Sequence, residues 1–128
     1  MTIPPPISPS PPEHPLTDIV SLVHAFVTAR DWDQFHTPKN LACALCVEAA
    51  ELLEPFQWLQ TGSVDELSPE KRVEIRHEMA DVFLYLVMLA DKMEVDLIEA
   101  AKEKIVLNEI KYPADRVRGD ARKYNEYD

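Results

Sequence analysis

Apolar residues recur every three or four positions in four stretches of the chain, and no segment sustains the apolar–polar alternation of a strand. Leu16, Ile19, Val20, Val23, Phe26 and Val27 fall on one face and predict a first helix from about Leu16 to Asp31, with Thr17 as its cap. A short loop with two aromatics and a histidine follows, from Trp32 to Thr37. Thr37-Pro38 then reads as an N-cap with proline at the first helical position, opening a second helix through LACALCVEAAELLE. Pro55 must kink or stop it, which leaves Phe56-Gln57-Trp58 just past the break and a polar loop from Gly62 to Leu67. Ser68-Pro69-Glu70 opens a third helix that runs to about Lys92. Its second half, MADVFLYLVMLA (79–90), is apolar on nearly every face except at Asp81. Such a helix is expected to be buried, centrally or in a subunit interface, and it is too short and interrupted to span a membrane. A fourth helix is predicted from Asp96, with Glu99 as a box-like partner, to near Tyr112, where Pro113 disfavours continuation.

The expected fold is therefore all-α, a four-helix bundle. A small bundle cannot easily hide a helix that is apolar all round, so a homo-oligomer is expected. Seven of the 11 prolines lie in residues 1–15, which read as a disordered Pro-rich leader. Residues 16–113 form the expected domain, and 114–128 a polar, basic-leaning tail.

Composition narrows the chemistry. Gly62 and Gly119 are the 2 glycines, too few for a P-loop or a dinucleotide-binding fingerprint, so nucleotide chemistry here would need carboxylates and metal. The net charge of −10 argues against nucleic acid and anionic membranes as partners. Residues 1–99 carry 6 basic and 17 acidic side chains, whereas 100–128 carry 7 and 6. An acidic body with a basic-leaning end suits metal cations at one place and phosphate at another, or is ordinary solubilising charge. Cys43 and Cys46 lack further cysteines for a zinc site and read as small core thiols. No basic and apolar secretory leader is evident, which gives a reducing cytoplasm as the expected location.

Two helices each carry acids at i, i+3: Glu48 and Glu51 on the second, Glu78 and Asp81 on the third. That spacing puts both carboxylates of a pair on one face, with Cβ atoms roughly 5–6 Å apart. An ionised Asp81 within an apolar run is costly unless it is paired or metal-bound; Arg76 and His77 are its nearest basic neighbours. If the two helices pack antiparallel, four oxygen donors face one another, a set that suits Mg²⁺ or Mn²⁺. The alternative is two solvated acidic stripes. Lys104, Asn108, Lys111 and Tyr112 share a face of the fourth helix and could hold a phosphate chain, or form a solvated face paired with Glu103 or Glu109. Trp32, His36 and Trp58 flank the second helix and could stack on a base, or serve as core plugs.

At these residues the sequence resembles the all-α nucleoside triphosphate pyrophosphohydrolases of MazG-like and dCTP-pyrophosphatase type. The family's metal motif, E-x-x-E, a spacer and E-x-x-D, reads here as Glu48-Ala-Ala-Glu51, 26 residues, then Glu78-Met-Ala-Asp81. The likeness extends through Arg30 to His36, Pro38 to Trp58, DVFLYLV (81–87), Val95 to Leu97, Lys104 to Asn108, Lys111-Tyr-Pro113 and Arg122-Lys-Tyr124. MazG-type members often have a doubled glutamate at the start of the motif, where this chain has Val47 before Glu48. The resemblance implies cleavage between the α- and β-phosphates of a nucleoside triphosphate, dCTP or a 5-modified dCTP, to monophosphate and pyrophosphate, in the service of nucleotide-pool cleansing. It implies Mg²⁺ ligation by Glu48, Glu51, Glu78 and Asp81, with Glu48 or Glu51 activating the attacking water. It makes Trp32 and Trp58 walls of a base pocket, with Tyr85 nearby. Lys104, Asn108, Arg122, Lys123 and Tyr124 would touch phosphates or sugar. A homodimer or homotetramer with sites shared between subunits is implied as well. The alternative function is that of a catalytically idle nucleotide binder or helical scaffold.

Overall fold

Each long helix begins where a local stop to the preceding chain meets a side chain that can cap it. In the computed structural model, which describes residues 15–122 and 124–126, Thr37 Oγ1 accepts from Asn40 N at 3.2 Å, and Pro38 follows at the first helical position. Ser68 Oγ does the same for Lys71 N at 3.2 Å ahead of Pro69, and Asp96 Oδ1 for Glu99 N at 3.1 Å. These caps satisfy amide donors that the first helical turn leaves without partners. The resulting elements are α1 (Pro15–Ala29), α2 (Pro38–Leu53), α3 (Pro69–Lys92), α4 (Leu97–Lys111) and a short α5 (Ala114–Val117). Single 3₁₀ turns lie at Asp33–Phe35, Glu54–Phe56, Val64–Glu66 and Tyr124–Glu126. Among the described residues there is no strand, and no helix is long and apolar enough to cross a membrane.

Local details depart from expectation. Thr17 lies inside α1 rather than capping it, because the helix already starts at Pro15. That helix ends at Ala29, two residues early, because Asp31 takes a left-handed φ of 53°. The expected tail holds α5. Most of the expected Pro-rich leader, residues 1–14, lies outside the described residues.

The chain forms two compact units, one up to Met93 and the other from Glu94. In the first, α2 packs chiefly on α3, and α1 packs on α3 as well. The core is small: Leu41, Val27, Ile75, Val87 and Ala90 are the buried apolar residues. Pro55 is also buried, in the 3₁₀ turn that ends α2. On α2 the covered stripe runs Leu41, Leu45, Glu48, Leu52 and Pro55, the i, i+4, i+7 rhythm of one helix face. Cys43 and Cys46 fall off that stripe, so both thiols are exposed instead of being core residues. On α3 the covered stripe includes Ile75, Glu78, Val82, Tyr85 and Leu89. Asp81 sits at its edge and is exposed in the single chain, which corrects the expectation of a buried Asp81. The helix is not covered on every side either: Val73, Met79, Phe83 and Leu86 remain open.

In the second unit, α4 has no buried residue, and Ile98, Ile105, Val106, Leu107 and Ile110 are exposed. After α5, Arg122 pairs with Asp120, Nη2 to Oδ2 at 2.7 Å.

Candidate active site

The packing of α2 on α3 decides which acids meet. Glu48 lies on the covered stripe of α2 and Glu78 on that of α3, so both are drawn partly out of water. Glu51 and Asp81, one turn further along, sit at the stripe edges and stay exposed. One carboxylate oxygen from each of Glu48, Glu78 and Asp81 can be chosen so that all three lie within 4.8 Å of one another. Glu51 lies beside this trio, close enough for its charge to act on both Glu48 and Glu78.

The electrostatics are those of crowded, partly desolvated acids. The Oε2 atoms of Glu48 and Glu78 are buried, and among the described residues neither has a hydrogen-bond partner. Among the described residues of the first unit, no ion pair engages the four acids, and neither Arg76 nor His77 forms one with them. Burial first, then contact with Glu51 and the charges of Glu51, Asp81 and Glu78, pushes the Glu48 carboxyl up to about 7. Glu78 is also raised, by burial first and then by the charges of Glu51 and Asp81. Carboxylates are seldom left this way, since each buried charge needs a partner. Two orphaned oxygens within a three-carboxylate cluster fit a hard divalent cation, whose charge would reverse every one of these shifts.

Beside the acids opens a cavity of about 470 Å³, within the range that takes a small organic ligand. Its walls come from α1 (Ile19, Leu22, Val23, Phe26, Val27), the following loop (Trp32, His36) and α3 (Asp81, Leu84, Tyr85, Met88). The lining is apolar apart from Asp81, His36 and the polar tips of Trp32 and Tyr85. Phe26 and Trp32 meet edge to face, with centroids 5.8 Å apart, and the Arg30 guanidinium covers the Phe26 ring at 3.6 Å. Asp81 borders both cavity and acid cluster. Tyr85 does likewise: its hydroxyl is pushed upward by burial and then by the charges of Glu48, Asp81 and Glu51. A flat apolar group can therefore occupy the cavity while a chain attached to it reaches the carboxylates.

Of the residues singled out in the sequence, the fold gathers Glu48, Glu51, Glu78, Asp81 and Tyr85 together, with Trp32 and His36 across the cavity. Trp58 does not line this cavity and is 88% exposed. Lys104, Asn108 and Lys111 are exposed on α4, within the second unit; Arg122 is engaged with Asp120. Lys123 lies outside the described residues, as does the side chain of Tyr124. Phe26, Leu22 and Met88 were not anticipated as cavity walls. Their helical spacing announces an apolar face, and nothing local tells a wall from a core contact.

A family model, the MazG-like family, matches residues 43–127. The dCTP pyrophosphatase 1 of Homo sapiens is 44% identical over 117 residues, covering 90% of this chain and 69% of that protein. The dCTP pyrophosphatase 1 of Bos taurus is 40% identical over 116 residues, covering 89% and 69%. Among solved structures, a pyrophosphatase from Archaeoglobus fulgidus superposes with a TM-score of 0.71 at 40% identity, over 83% of this chain and 99% of that one.

Proposed function

The chain belongs to the MazG-like family, and from that premise we propose that it is a Mg²⁺-dependent nucleoside triphosphate pyrophosphohydrolase. Its substrate is dCTP or a 5-modified dCTP, its products dCMP and pyrophosphate, and its role the cleansing of the nucleotide pool in the cytoplasm. The observation that carries this reading is the trio of Glu48, Glu78 and Asp81 oxygens, two of its carboxylates holding orphaned atoms, set against an apolar cavity.

Glu48, Glu51, Glu78 and Asp81 would hold the Mg²⁺, with Mn²⁺ as a substitute. When bound, the cation offsets the triphosphate charge and favours in-line attack at the α-phosphorus, with pyrophosphate leaving. Trp32, His36 and Tyr85 enclose the base and so orient the phosphate chain toward the acids. The attacking water gives its proton to Glu51 or Glu48. Glu51 is the acid outside the three-oxygen group, which leaves its carboxylate placed to take that proton. By resemblance alone, Trp58 adds to the base pocket, and Lys104, Asn108, Lys111, Arg122, Lys123 and Tyr124 contact phosphate or sugar. The exposed apolar faces of α3 and α4 support a homodimer or homotetramer.

Incubation with dCTP and Mg²⁺, followed by ion-exchange separation of the products, tests the reading. Equal amounts of dCMP and pyrophosphate are expected, and none when the metal is chelated. Orthophosphate would indicate a different phosphohydrolase. Thermal stabilisation by nucleotide with no product would indicate an idle binder.

A further inference from the structure

Trp32 and His36 reach the cavity from a loop whose own bonds are almost all short-range. Trp32 N donates to Val27 O at 3.1 Å, Phe35 N to Trp32 O at 2.9 Å and His36 N to Asp33 O at 3.1 Å. Gln34 Nε2 bonds back to Asp31, and Asn40 Nδ2 reaches Phe35 O at 2.9 Å. These contacts shape the loop and join it to α1 and α2. They do not join it to α3, which supplies Asp81, Tyr85 and Met88 on the opposite wall. Among the described residues, neither the Trp32 indole nor the His36 ring forms a hydrogen bond, so the loop backbone, together with the edge-to-face contact of Trp32 on Phe26, sets where the rings stand.

One bond crosses from this loop to α3. Lys92 Nζ donates to Asp33 Oδ1 at 2.7 Å, over 59 residues of sequence. Asp33 directly follows Trp32 and shares its 3₁₀ turn with the approach to His36. Lys92, Asp33 and His36 together line a second cavity, of about 50 Å³, next to the large one. An ion pair as open as this adds little to global stability: Asp33 is 72% exposed and Lys92 34%. Its consequence is local: α1 is already held to α3 by packing and by the His24 Nε2–Asp91 Oδ2 contact at 2.7 Å, and the Asp33–Lys92 pair extends that attachment to the loop.

We propose that Asp33 and Lys92 are positioning residues that tether the Trp32–His36 loop to α3 and so fix the width of the base-binding cavity. This rests on the pyrophosphohydrolase reading for its kinetic form. Neither residue touches the reacting atoms. Loss of the tether weakens the hold on the base without altering the acids, which is the signature of lost uniform binding. For Lys92→Met, KM for dCTP is expected to rise about fivefold with kcat within about twofold of the parent, and with an unchanged melting temperature. Inhibition by deoxycytidine, which has no phosphate to sense a lysine charge, should weaken by the same factor. The double exchange Asp33→Lys with Lys92→Asp should restore KM, because the pair is re-formed with its ends swapped.

A fluorescence measurement separates this inference from the functional reading. In a Trp58→Phe background Trp32 is the sole tryptophan, and Lys92→Met should raise its quenching by acrylamide, with the double exchange reversing the rise. If the parent protein turns over no triphosphate, the functional reading fails and the quenching result alone decides the tether. Unchanged quenching, a fall in kcat at constant KM, or no recovery in the double exchange would each overturn it.

Discussion

The Glu48 carboxyl sits on the covered stripe of α2, with Oε2 buried and, among the described residues, without a donor. In metal-free protein its pKa lies at about 7, against an ordinary 4.5. Between those values the folded chain keeps a proton that the unfolded chain has released. Metal-free stability therefore falls as pH rises from 4.5 toward 7. A cation must displace the same proton, so Mg²⁺ affinity should climb with pH up to about 7 and level off above it. Thermal melts across pH with and without Mg²⁺ check both statements: the fall should be present without metal and absent at saturation. Glu48→Gln removes the titrating charge. It should melt at or above the parent at pH 8 without metal, yet gain nothing from added Mg²⁺. At the stripe edges, Glu51→Gln and Asp81→Asn should lose turnover at least about a hundredfold with the far-ultraviolet dichroism of the parent. Full activity in either purified variant would remove the acid cluster from the chemistry.

At the scale of elements, the chain announces its helix starts and conceals how its helices are rotated. Thr37-Pro38, Ser68-Pro69 and Asp96 are local chemistry, and each cap lies where the sequence places it. Which flank of α2 is covered depends on α3, a partner far along the chain. The residues of 41–52 fit a stripe through either the cysteines or Glu48, and packing selects the second. Spacing could pair the acids but could not rank them, whereas the packed helices half-bury Glu48 and Glu78 and leave Glu51 and Asp81 at the rim. The cavity was less legible still, because it needs α1, a loop and α3 at once. From its sequence the loop after α2 is only polar. In the fold Glu66 closes it, its carboxylate accepting from Gln60 N, Thr61 N, Gly62 N and Thr61 Oγ1. The Thr61 hydroxyl first, and the amides with it, hold the Glu66 carboxyl below its ordinary range. The knot's contribution is thus present above the ordinary carboxylate pKa and disappears as pH falls through the depressed one. Gly62 makes the knot possible: its φ is 74°, and an added Cβ would stand 2.7 Å from Phe56 Cδ1. Gly62→Ala should therefore cost about 1–2 kcal/mol or more in urea unfolding, from the left-handed backbone and the collision together. An unchanged midpoint would show the loop free to rearrange.

At the scale of the whole molecule, the distribution of apolar surface argues for association. The described core is confined to a few side chains, while Met79, Phe83 and Leu86 on α3 and Ile105, Leu107 and Ile110 on α4 stand open. Side chains of this size at helical spacing rarely stay wet in a monomer, since each loses the burial that offsets its ordering on folding. The 79–90 run announces this, having almost no polar face to turn outward. A second copy of the chain is the simplest cover, and it carries a thermodynamic consequence. If folding is completed by association, stability depends on protein concentration. A tenfold dilution should cost a dimer about 1.4 kcal/mol, enough to lower the melting temperature by a few degrees in a chain of this size. Light scattering should report two or four chains per particle at micromolar concentration. Phe83→Asp with Leu86→Asp, which charges the open face of α3, should shift that mass toward a single chain and abolish the concentration dependence. A parent protein that scatters as a monomer and melts at one temperature across a hundredfold range of concentration would show instead that these faces are tolerated in water.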